Sequence, residues 1–93
     1  MEYYFKSKQY EKAISYSKKS LAISESYNTK YAMGIGYDNI ATLYDLTHKN
    51  DSVIWYRKKA IVLFETIKDQ NNIARCYHNL GHYYLLQNKF KEA

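Results

Sequence analysis

From Lys30 to Leu46 the apolar positions Met33, Tyr37, Ile40, Ala41 and Tyr44 recur at intervals of three and four, the spacing of one helix face. Polar residues Thr47-His48-Lys49-Asn50 interrupt the pattern. A second helical run follows through Val53, Ile54, Tyr56, Ala60, Ile61, Phe64 and Ile67, and Asp51 or Ser52 stands where a side-chain oxygen could cap its free backbone donors. The polar stretch Lys68–Asn72 separates it from a third run at Ile73, Tyr77, Leu80, Gly81 and Tyr84.

The pattern repeats at an offset of 40 residues. Ala13-Ile14-Ser15-Tyr16-Ser17-Lys18-Lys19 overlays Val53-Ile54-Trp55-Tyr56-Arg57-Lys58-Lys59. Tyr37-Asp38-Asn39-Ile40-Ala41 overlays Tyr77-His78-Asn79-Leu80-Gly81 in the same register. Tyr4, Tyr44 and Tyr84 share it, as do Ala13, Val53 and Ala93. Small residues Ala13, Ala41, Ala60 and Gly81 are expected where helices cross closely, with tyrosines filling the space around each crossing.

This arrangement resembles the tetratricopeptide repeat. Tyr77, Leu80-Gly81, Tyr84, Phe90 and Ala93 fall on that family's marker positions. So do Tyr37, Ile40-Ala41, Tyr44, Val53 and Ala60 in the middle unit, and Tyr4, Tyr10, Ala13 and Ser20 in the first. The resemblance implies an all-α fold, with antiparallel helix pairs stacked in a right-handed solenoid of about two to two and a half repeats. Its units would span 1–29, 30–69 and an incomplete 70–93. The first unit would open inside a first helix, and the last would stop one turn into a second. The usual unit is about 34 residues, and the closing proline is missing here. The longer unit looks like that of kinesin light chain and of bacterial peptide-sensing regulators.

Composition narrows the picture. The chain has no proline, which suits uninterrupted helix, and three glycines, too few for a turn-rich β-protein. A net charge of +5 comes from lysines dispersed among acidic residues, without the clustered cations or reader motif of a nucleic-acid binder. Tyr3, Tyr4, Tyr10, Tyr16 and Tyr83 have the helical spacing of packing residues rather than of a base-stacking platform. No apolar run reaches the ~18 residues of a membrane span. The lone Cys76 excludes an internal disulfide and fits a reducing, cytoplasmic setting.

In the repeat family the first helix of each pair lines a concave groove. The resemblance places Asp38, Asn39 and Thr42 of the middle unit there, with Arg75, His78, Asn79 and His82 of the third. Asn39 and Asn79 are the principal candidates, because an amide side chain both donates to and accepts from the backbone of an extended peptide. His78 and His82 share a helix face, but Asn79 stands where a zinc-binding His-Glu-x-x-His motif needs its glutamate, so no metal is expected. The family's carboxylate clamp is also not matched, since Asp38 and Thr42 replace its basic and amide groups. No catalytic constellation or cofactor motif is present. The expectation is a protein- or peptide-binding module of a larger bacterial signalling or regulatory protein. The alternatives are a structural or dimerising repeat segment that pairs through its exposed ends, and an RNA-binding helical repeat, against which Asp38 and Asp45 argue.

Overall fold

The computed structural model describes the backbone of residues 2–92 and the side chains of residues 8–87. Tyr4, Phe90 and Ala93, which the repeat register assigns to packing positions, lie outside the described side chains. Four helices occur in order: α1 (Glu2–Ser26), α2 (Lys30–Leu46), α3 (Asn50–Thr66) and α4 (Gln70–Glu92), and no strand is found among the described residues. Each helix packs on its neighbour in sequence, and the seam between α2 and α3 is the most extensive. Turns of three residues return the chain antiparallel each time.

The turns explain the beat of the sequence. Asn28, His48 and Lys68 lie twenty residues apart and are the only non-glycine residues with positive φ among those described. Each ends a helix by the same pair of bonds. The His48 amide donates to the Asp45 carbonyl and the Lys49 amide to that of Tyr44. Asn28–Thr29 bond Glu25 and Ser24, and Lys68–Asp69 bond Glu65 and Phe64, in the same way. This satisfies carbonyls that a helix end leaves free. Two helices with their two turns make the 40-residue unit.

Two boundaries differ from the sequence expectation. α1 continues through Lys8, and α4 through Asn88, although both stand on the twenty-residue beat. A turn is favoured only where the chain can fold back onto a packed face, whereas straight continuation adds a backbone hydrogen bond per residue. The expected caps of α3 also differ. The helix begins at Asn50 with Lys49 before it and no side-chain cap, so Asp51 lies inside the first turn, where its charge suits the helix dipole. α4 is capped instead: the Asn72 amide donates to Asp69 Oδ1 at 3.2 Å.

The core lies along the α2–α3 seam and under α4. Ile40, Ala41, Val53, Ala60, Phe64 and Cys76 are fully buried. Ile35, Tyr37, Ile73 and Leu80 pack around the centre of this group. Ala41 and Ala60, small residues expected at close contacts, are both fully buried. Gly34 is a further close-contact site that the sequence did not single out. A Cβ there would come within 2.8 Å of the Phe64 ring. Gly81 departs from expectation, because a Cβ there would meet nothing within 4 Å. No helix among the described residues is long and apolar enough to cross a membrane.

Candidate functional site

The expected groove residues divide into two sets. Asp38, Thr42 and Arg75 come together around a carboxylate that is itself interior: Asp38 is buried, whereas Thr42 and Arg75 are exposed. Asp38 is 5% exposed on α2 and faces Arg57 of α3, itself 2% exposed. Arg57 Nη1 donates to Asp38 Oδ1 at 2.6 Å and to the Thr42 hydroxyl oxygen at 3.4 Å. Thr42 in turn donates to the Asp38 carbonyl at 3.2 Å. Arg75 of α4 donates through Nη2 to Asp38 Oδ2 at 3.2 Å while remaining half exposed. One carboxylate thus fastens three helices. Two guanidinium groups on one aspartate leave the cluster with a single net positive charge, and Arg57 Nε is buried without a partner among the described residues.

This corrects the expectation that Asp38 faces a ligand. Asp38 lies on the same stripe of α2 as Gly34, Tyr37, Ala41 and Tyr44, and α3 covers that stripe. Its neighbour Tyr37 already marked this as a packing face. The missing information was Arg57, whose counterpart at the 40-residue offset is Ser17. The ion pair therefore belongs to one unit only and leaves no trace in the repeat.

Cys76 completes the cluster. Its thiol points at Asp38 Oδ1 across 3.7 Å and is fully buried. Burial pushes its pKa up from 9.0 to about 11, with the negative charge of Asp38 adding to the shift and Arg57 and Arg75 opposing it. Such a thiol stays protonated and unreactive near neutrality. Burial likewise raises the Tyr37 hydroxyl, reinforced by Glu25, which accepts its hydrogen bond at 3.4 Å.

The second set is accessible. Asn39 is exposed and lines a groove of about 290 Å³ between α1 and α2. Ser17, Ser20 and Ser24 form one wall, and Ala32, Gly36 and Asn39 belong to the other. Asn79 is half-buried, and His78 and His82 are exposed on α4. Neither asparagine side chain has a hydrogen-bond partner among the described residues, so both amides are free to engage a ligand. Among the described residues no group of three or more potential ligands converges on a metal position. A second depression, of about 310 Å³, lies on the outer face of α3 at Trp55, Lys58, Lys59 and Val62.

The chain matches no family model, no curated protein and no solved structure.

Proposed function

We propose that this chain is a binding scaffold of the tetratricopeptide-repeat type, one that holds an extended peptide or protein segment and has no catalysis of its own. The observation carrying this reading is the open α1–α2 groove, in which the unpartnered amide of Asn39 stands above a wall of serines. Serine hydroxyls and an amide offer both donors and acceptors, as a peptide backbone requires. Ala32 and Gly36 are small and allow a backbone to approach. The 40-residue offset carries the same amide to Asn79 and supports a second contact one unit along. Arg75, the half-exposed member of the ion cluster, presents the cluster's net positive charge, which favours acidic residues in the ligand. The resemblance supports reading the module as part of a larger bacterial regulatory protein.

The test begins with peptides selected by the purified chain from a random displayed library. Their affinities are then compared by calorimetry for the wild type, Asn39→Ala and the double variant with Asn79→Ala. Loss of one or two direct hydrogen bonds should weaken binding roughly five- to tenfold per position. Unchanged affinity in the double variant overturns the reading.

A further inference from the structure

The 40-residue offset pairs α2 with α4 and residues 10–26 of α1 with α3. In the first pair the equivalent stripes have opposite fates. On α2, Gly34, Tyr37, Asp38, Ala41, Tyr44 and Asp45 are buried or half-buried, and Gly34, Tyr37, Asp38 and Tyr44 among them meet α3. Their counterparts on α4 are Ala74, Tyr77, His78, Gly81, Tyr84 and Leu85, and every one is exposed. Gly81 is the clearest sign. A glycine inside a helix costs about 1 kcal/mol relative to alanine, and nothing among the described residues requires its smallness.

The second pair shows the complementary vacancy. Arg57, Ala60 and Phe64 of α3 are buried where α2 lies against them. Their counterparts Ser17, Ser20 and Ser24 instead line the open α1–α2 groove. Tyr56 of α3 packs between the rings of Tyr37 and Tyr44, at 5.8 and 5.4 Å. Its counterpart Tyr16 is 70% exposed. Among the described residues, therefore, one molecule carries both halves of an α2–α3 seam, each of them uncovered.

We infer that a second copy of this chain docks head to tail, with α4 of one molecule lying in the α1 groove of the next. Tyr16 then enters between Tyr77 and Tyr84, as Tyr56 does between their counterparts. The replacements compensate across the seam. Gly34 against the Phe64 ring becomes Ala74 against Ser24, and the buried Asp38–Arg57 ion pair becomes His78 opposite Ser17, a hydrogen-bonding match. Gly81 lies opposite Ser20, where a small residue lets the helices approach. The contact joins two different surfaces, so it is heterologous. A docked α4 fills the groove lined by Asn39, so self-association and peptide occupancy exclude one another. The inference rests on the internal repeat and not on the peptide reading.

Sedimentation of the full chain from micromolar to millimolar concentration, without peptide, tests it. Average mass should rise with concentration. Gly81→Arg blocks the α4 face and Tyr16→Arg the α1 face. Both sites are exposed, so the folded monomer should survive, as circular dichroism will show. Each variant alone should associate at least about a hundredfold more weakly, as for loss of a central contact. An equimolar mixture should form a one-to-one dimer, because each variant keeps the face the other lacks. A wild type that stays monomeric, single variants that associate undiminished, or a mixture that fails to pair would each overturn the proposal.

Discussion

α2 and α4 carry matching stripes of residues, yet one lies under a neighbouring helix and the other faces water. The covered stripe holds a buried charge, a glycine pressed against an aromatic ring and a fully buried alanine. The bare stripe holds a histidine, an alanine and a glycine at the same places. Sequence position sets where a stripe lies on its helix; the neighbour decides what each residue contributes. Identical substitutions on the two stripes should therefore have different consequences.

The largest contrast is at Asp38 and His78. Removing Asp38 leaves Arg57 charged and unpaired in the interior, which costs about 3–5 kcal/mol. In urea denaturation Asp38→Ala should show that loss, whereas His78→Ala should stay within about 0.5 kcal/mol of wild type, as for an exposed site. Equal losses would mean that the ion pair does not anchor the seam.

The covered side of α4 gives the next effect, read through pH. The Cys76 pKa is raised to about 11 in the folded chain from an ordinary 9.0, so above pH 9 the unfolded chain releases the thiol proton first. The folded state then binds more protons, and stability falls as pH rises. Between pH 9 and 11 the loss should approach ~2 kcal/mol, at 1.36 kcal/mol per unit. Cys76→Ala should flatten that part of the curve, and thermal melts across the range will show whether it does.

The two glycines should respond with opposite signs. Gly34→Ala drives a methyl against the buried Phe64 ring and should destabilise by about 1–3 kcal/mol, less the helix-propensity gain. Gly81→Ala has open space and should stabilise the monomer by about 0.5–1 kcal/mol. Smallest is His48→Gly. His48 holds φ at 61°, and relieving that left-handed strain should add up to about 1 kcal/mol to the denaturation free energy.

Much of the fold was legible. The three-and-four spacing of Met33, Tyr37, Ile40 and Tyr44 matches the observed limits of α2, and the polar interruptions at 47–50 and 68–72 mark the turns to within a few residues, at 47–49 and 67–69. The burial of Ala41 and Ala60 was readable because a close contact admits few side chains. The continuity of α1 and α4 was not readable, since Lys8 and Asn88 stand where the beat predicts turns and only tertiary packing decides whether the chain reverses. The role of Gly81 was misread for the same reason: its smallness was visible, the absence of a neighbour was not. For the candidate site, the resemblance puts Asn39 on a groove lined by the first helices α2 and α4, whereas the groove it lines runs between α1 and α2, and the burial of Asp38 is not legible. Its partner lies on another helix, 19 residues along the chain, and nothing in the local pattern joins the two.

Cys76 offers a practical consequence. It is the only sulfhydryl in the chain, and it is shielded on the inner side of α4. A thiol-reactive dye can reach it only when α4 lifts away, so the labelling rate is a stopwatch for that opening. No probe need be engineered. A ligand or a second copy that holds α4 in place will slow the clock, and one that loosens it will speed the clock up.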